Sequence, residues 1–224
     1  MAILSDTQIL ESWHKNVDPW ADAIAEQSIP SRVMVTDQAI IHAVTALQPQ
    51  TVIDIGCGEG WLVRALSERG IDVTGTDAVA GLIEKARSAG AGRFEQIAYE
   101  DLSASRITQR LDLAVCNFSL LGKESVEHVF ATVPQLLNPD GHFVVQTLHP
   151  VICCGDKPYT DGWREGSWVG FSGDFTDPAP WYFRTIESWL QLFLDNGMRI
   201  EQMQEPLHPD TGQPASLIMT GTVI

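Results

Sequence analysis

Thr51-Val52-Ile53-Asp54-Ile55-Gly56-Cys57-Gly58-Glu59-Gly60 is the stretch on which the fold turns. An apolar, β-rich run stops at an acid and turns through glycines at three alternate positions. Trp61-Leu62-Val63-Arg64-Ala65-Leu66 then follows with helical spacing. A buried strand that enters a helix through such a turn sets backbone N–H groups and a helix N-terminus around a ligand. Glycines there let a ligand lie directly against the main chain. The spacing is G-x-G-x-G, whereas the dinucleotide fingerprint is G-x-G-x-x-G.

The same rhythm continues outward. Strand patterns at Thr51–Ile55, Ile71–Thr76, Arg93–Ala98, Leu111–Cys116 and His142–Thr147 alternate with helical patterns at Trp61–Arg69, Val79–Ala89 and Glu124–Leu137. Alternation of this kind predicts βαβ units and a parallel sheet covered on both faces. Asn138-Pro139-Asp140-Gly141 is read as the turn that stops a helix and starts the fifth strand. A helix over Thr185–Asp195 and strands over Met198–Gln204 and Ala215–Val223 close the chain. The link between those two strands is too short for a helical crossover, so they are expected to pair antiparallel. The fold class is therefore α/β: one Rossmann-like domain, a seven-stranded mostly parallel sheet with the last strand antiparallel, and helices on both faces.

Two segments break the rhythm. Residues 5–47 read as two helices separated by Ser28-Ile29-Pro30-Ser31. Residues 150–183 form an irregular stretch too aromatic for disorder and too long for an idle connection. The organisation expected is a helical lid over 1–48, a core over 49–149 and 184–224, and an aromatic-rich insertion over 150–183.

A chain of 224 residues, 44% apolar and 19% charged, suits one sizeable α/β domain. Its net charge of −15, with no basic tract, would repel a nucleic-acid backbone over most of the surface. No apolar run is long enough to span a bilayer. Met1-Ala2-Ile3-Leu4-Ser5-Asp6 lacks the basic and apolar regions of a secretory signal. The expected setting is cytoplasmic, with Cys57, Cys116, Cys153 and Cys154 as free thiols and no metal site.

From Gln50 onward the chain resembles class I S-adenosylmethionine-dependent methyltransferases of the small-molecule type. The residues that carry the resemblance are Val52–Gly60, then Asp77 closing Val73-Thr74-Gly75-Thr76-Asp77. Leu111–Phe118 is similar to that family's fourth strand and its exit, and Leu136–Val145 to its fifth. The resemblance implies methyl transfer to a small molecule by in-line displacement at the sulfonium methyl, with S-adenosyl-L-methionine as cofactor. Gly56, Cys57, Gly58 and Gly60 would lie along its methionine and ribose portions. Asp77 would accept the ribose hydroxyls, with Ala78 beside it, and is equally placed to cap the helix that follows. Two roles are open to Asp54, binding the ammonium or bracing the loop.

At the adenine end Ala98 stands where many members have an acid, which leaves the backbone of Tyr99 and the side chain of Glu100 or Asp101. Asn117, leaving the fourth strand, is expected beside the reacting methyl group, with Phe118 packed near it. Arg32 is a candidate for the cofactor carboxylate. His149, just past the fifth strand, is the candidate general base. Trp163, Trp168, Trp181, Tyr182 and Trp20 either line a pocket for an apolar or aromatic substrate or form the lid's own core. Two other functions fit part of the pattern: an NAD(P)-dependent oxidoreductase, since an acid after the second strand suits a ribose in either class, and an S-adenosylmethionine-binding protein without catalysis. Oligomeric state leaves no mark in the sequence.

Overall fold

The N-terminal segment folds as three helices where two are expected: α1 (Asp6–Lys15), α2 (Val17–Ala25) and α3 (Asp37–Ala46). The extra break falls at Asn16, whose side chain serves another part of the chain. Its Nδ2 donates to the carbonyls of Ser12 and Thr176, each at 2.8 Å, and its Oδ1 accepts the Thr176 N–H at 2.9 Å. Asn16 is wholly buried. A π-helical turn over Arg32–Thr36 leads into α3, a geometry that tends to accompany functional sites. This computed structural model describes residues 4–224; Met1-Ala2-Ile3, the start of the segment read for a secretory signal, lies outside the described residues.

The core then runs β1 (Thr51–Ile55), α4 (Trp61–Ser67), β2 (Asp72–Asp77), α5 (Ala80–Ser88), β3 (Arg93–Gln96), β4 (Leu111–Asn117), α6 (Glu124–Leu136) and β5 (Leu137–Thr147). The insertion follows with α7 (Pro150–Cys153), β6 (Gly162–Arg164) and β7 (Trp181–Phe183). The chain closes through α8 (Ile186–Asp195), β8 (Met198–Gln204) and β9 (Leu217–Val223). The main sheet has seven strands in the order β3-β2-β1-β4-β5-β9-β8. All pairs through β5 are parallel, and β9 runs antiparallel to both neighbours. The chain reverses its direction of winding between β1 and β4, so the crevice beyond their carboxyl ends is where a ligand binds in such a sheet.

Both faces are covered, as the apolar strands require. On one face α6 and α8 pack Phe130, Phe193 and Trp189 against Phe143 of β5. On the other, Ile40 and Val44 of α3 join Leu62 and Val63 of α4 over β1 and β4. α3 thus forms part of this core layer.

Two sequence readings are corrected in detail. Asn138–Gly141 does not precede the fifth strand but bulges within it: Leu111 pairs with Leu137 and Leu113 with His142. Asp140 adopts φ +61° at the bulge, a conformation aspartate tolerates better than most residues. The insertion, expected to be irregular, holds a two-stranded antiparallel sheet of β6 and β7, with Trp163 opposite Tyr182.

The insertion is fastened to the N-terminal helices. Besides the Asn16 bonds, Ser12 Oγ donates to the carbonyl of Asp177, and Lys15 pairs with Asp177 at 2.8 Å. Asp6 of α1 accepts the N–H groups of Lys123 and Ser125 at 2.8 and 2.7 Å, capping α6 from a distant helix. Asn16→Ala is expected to cost about 1–2 kcal/mol. That lowers the melting temperature by about 2–8 °C. Calorimetric melting checks it; an unchanged transition would show that Asn16 does not hold the insertion down.

Candidate active site

The glycine turn is pinned at its base. The N–H groups of Gly56 and Cys57 both donate to the carbonyl of Thr76 at the end of β2, at 2.7 and 2.9 Å. Gly56, Gly58 and Gly60 have φ of +79°, +59° and +84°, where a side chain is strained. Only Gly58 opens to space: an added Cβ would meet just Trp20 Nε1, at 3.4 Å. A Cβ on Gly56 would fall 2.4 Å from Ser119 Cβ and 2.5 Å from the Tyr99 hydroxyl. One on Gly60 would fall 2.5 Å from the Phe94 ring. At Gly56 and Gly60 the missing Cβ thus makes room for neighbouring side chains, while Gly56 still presents its backbone to the cavity above the turn. The N-terminus of α4 is also occupied, since Glu59 accepts the Trp61 N–H at 3.1 Å and pairs with Arg64.

Asp77 spans the turn from the end of β2. One carboxylate oxygen accepts the Gly58 N–H and the other the Val79 N–H, both at 2.9 Å. A carboxylate has about four acceptor sites, so some capacity remains beside these donors. Burial raises its carboxyl above the usual range, against the backbone donors of Val79, Gly58 and Ala78. Asp54, within β1, is buried and its Oδ1 has no partner. Burial first, then the charges of Asp77 and Glu59, push its carboxyl up to about 8. Burial also holds the Cys57 thiol well above its ordinary value, so it is neutral and inert.

Above the turn lies a cavity of about 750 Å³, within the usual range for ligand sites. Gly56, Cys57, Gly58, Asp77 and Ala78 line one part, and Tyr99 and Glu100 the adjoining wall. Arg32, Asn117 and Phe118 line it as well. Arg32 is buried, bonded through Nε to Asp37 at 2.9 Å, with its guanidinium 4.7 Å from the Trp61 ring centre. Its Nη2, the Thr36 hydroxyl and the Asn117 Oδ1 are buried without hydrogen-bond partners. Phe118 has φ +54°, a strained conformation for an aromatic residue of the kind that collects at binding sites. Tyr99 runs beneath the turn and donates its hydroxyl to the Ser119 carbonyl at 3.0 Å.

Three expected site residues are not on the cavity wall: Asp54, Gly60 and His149. His149 is 5% exposed, and its Nε2 meets Glu205 Oε1 at 2.8 Å. The reason is local. His149 precedes the turn of α7, where its carbonyl accepts the N–H groups of Ile152 and Cys153, and its ring packs toward the exit of β8. Among the aromatics, Trp20, Trp168, Trp181 and Tyr182 line the cavity and Trp163 does not. Trp20 and Trp168 also both pack on Trp13, which lies 5.1 Å from Trp20 and 5.8 Å from Trp168. Sequence reasoning missed Thr36, Trp61 and Arg184. Trp61 was findable, since it directly follows the glycine turn.

A switch-point crevice, a non-phosphate glycine turn, and an acid closing β2 define a Rossmann-like methyltransferase. The chain belongs to the methyltransferase-domain family, whose model matches residues 31–202. Among curated proteins it is similar to the ubiquinone biosynthesis O-methyltransferase of Bordetella avium, 30% identical over 146 residues, covering 63% of this chain and 49% of the relative. That of Methylococcus capsulatus is 26% identical over 144 residues, covering 62% and 61%. The chain spans about half the length of the curated relatives it matches. An S-adenosylmethionine-dependent methyltransferase of Mesorhizobium loti has a TM-score of 0.61 and 25% identity, over 80% of this chain and 95% of that one. The 1,6-didemethyltoxoflavin-N1-methyltransferase of Burkholderia thailandensis shares the fold, with a TM-score of 0.63 and 21% identity over 97% and 86%. None of these relatives favours the oxidoreductase reading.

Among the described residues no helix is long and apolar enough to cross a membrane.

Proposed function

We propose that the protein transfers a methyl group from S-adenosylmethionine to a small aromatic or apolar acceptor enclosed between the core and a lid of α1, α2 and residues 150–183. The observation that carries this is the set of unmatched polar atoms at the glycine-turn end of the cavity. Arg32 Nη2 and the Thr36 hydroxyl are donors in need of an acceptor, and Asn117 Oδ1 an acceptor in need of a donor. A cofactor with a carboxylate, an ammonium and a ribose diol matches that inventory together with the remaining acceptor capacity of Asp77. Arg32 and Thr36 would hold the carboxylate, Asn117 the ammonium, and Asp77 the diol, with Gly58 and Ala78 beside it. Tyr99 and Glu100 would flank the adenine.

When bound, the cofactor supplies a methyl group already activated by its sulfonium. The residues of the chain need only orient the acceptor and exclude water. Phe118, Trp168 and Trp181 supply apolar walls for that, and the Asn16 and Asp177 contacts keep the insertion over the cavity. Asn117, at the exit of β4, is the polar side chain we place nearest the transfer. His149, turned toward Glu205, takes no proton in this reading. His149→Ala is therefore expected to leave kcat unchanged while costing about 1 kcal/mol of stability. A well-folded variant that has lost turnover would return His149 to the chemistry.

The direct test is incubation of the protein and methyl-labelled S-adenosylmethionine with a cell extract depleted of macromolecules, followed by mass spectrometry. Label in a small-molecule product supports the proposal. Tight cofactor binding without any labelled product would favour a non-catalytic binding protein.

A further inference from the structure

The walls of the cavity are sorted by charge, and the sorting identifies the acceptor more closely. Four acids line it: Asp77 and Glu100, which we place at the cofactor, and Asp6 and Glu124, which are engaged elsewhere. Both oxygens of Asp6 accept backbone N–H groups at the start of α6. Glu124 is turned outward, its side chain 69% exposed and paired with Lys123. Arg184 is arranged the opposite way. It is 4% exposed and lines the cavity. Among the described residues no carboxylate lies within ion-pair distance of it; Glu127, Asp161 and Asp6 act on it only from farther away. Its two terminal nitrogens donate to the carbonyls of Gly122 and Lys123 at 2.8 and 3.0 Å. That leaves three of its five N–H donors without a protein acceptor. Its guanidinium stands 4.8 Å from the Tyr182 ring centre and 5.2 Å from that of Trp189, both cavity residues.

A buried guanidinium with its countercharge missing is costly. Its planar fork matches a carboxylate, and the rings around it match a flat apolar body. We propose that the acceptor is an aromatic acid, a planar ring bearing a carboxylate, and that Arg184 is the residue that reads the carboxylate. This rests on the methyltransferase reading of the cavity and adds the class of substrate to it.

The test compares binding of hydroxybenzoates and indole carboxylates with that of their neutral primary amides, by calorimetry on the full chain saturated with S-adenosylhomocysteine. At least one acid is expected to bind about tenfold or more tightly than its amide. Arg184→Gln should erase that preference with S-adenosylhomocysteine affinity unchanged, and Arg184→Lys should keep part of it. Equal binding of acid and amide, binding of neither, or a preference that survives Arg184→Gln would overturn the proposal. Should Arg184→Gln fail to fold, having lost its ties to residues 122 and 123, the wild-type comparison and Arg184→Lys decide alone. Failure of S-adenosylhomocysteine to bind the wild type would instead overturn the parent reading.

Discussion

Asp77→Ala is expected to weaken S-adenosylhomocysteine binding by about 10²- to 10⁴-fold while moving the melting temperature by only a few degrees, about 2–4 °C per kcal/mol in a chain of this size. The two effects separate because the carboxylate has two sets of lone pairs. One set holds the N–H groups of Gly58 and Val79. In the proposed site the acceptor capacity that remains takes the ribose hydroxyls. Hydrogen bonds to a charged group are worth about 1.5–3 kcal/mol each, so losing both gives the predicted drop. The protein itself loses two backbone bonds, but it also sheds a carboxylate that burial disfavours, and these terms oppose each other. Asp77→Asn is no conservative control: its amide would set an NH₂ against one of the two backbone N–H donors. Calorimetric titration paired with melting curves tests the claim. Affinity within threefold of wild type, on the order of 0.6 kcal/mol, would remove Asp77 from the site.

The parts of this molecule that follow from period and turn chemistry were legible in the sequence. β1 and β8 begin and end where the pattern places them, and the short link before β9 does produce an antiparallel pair. What was not legible depends on contacts across the chain. Nothing local marks Asn16 as a helix break, because its reason for being there is Thr176, 160 residues away. The bulge at Asn138–Gly141 looks like an ordinary turn until Leu137 is seen pairing with Leu111.

The site divides in the same way. The glycine turn and Asp77 were readable because a strand–turn–helix junction dictates where their backbone must go. The packing that also requires a glycine at 56 and 60 was not, since the Tyr99 hydroxyl and the Phe94 ring beside them arrive from other strands and turns. His149 stood at the right end of the right strand, yet position along a strand does not fix side-chain direction once the chain turns into α7. Arg184 carried a signal that went unused: a single cation closing the run Trp181-Tyr182-Phe183.

Asp54→Asn is expected to stabilise the ligand-free protein more at pH 8 than at pH 5. The sign follows from where the proton sits. In the unfolded chain Asp54 gives up its proton near the ordinary aspartate value of about 3.9. In the folded protein burial and the charges of Asp77 and Glu59 keep it until about pH 8. Between those values the folded state holds more protons than the unfolded one, so stability falls as pH rises. This contribution is fully present below about pH 4 and gone above about pH 8. The full shift corresponds to about 6 kcal/mol as an upper bound, and relaxation around the carboxylate brings the expected gain at pH 8 to about 2–3 kcal/mol. Asparagine keeps the size of the side chain and removes the titration, so its melting temperature should vary less with pH. A pH dependence of stability identical to wild type would refute the buried-proton account. Retaining so costly an acid implies a use for its charge. Asp54 is not on the cavity wall, but a cation held above the turn would favour its ionised form. Binding of S-adenosylmethionine at pH 7 should therefore release protons, measurable as a binding enthalpy that depends on the buffer. S-adenosylhomocysteine, which lacks the sulfonium charge, should release fewer, and Asp54→Asn should abolish the release with either ligand.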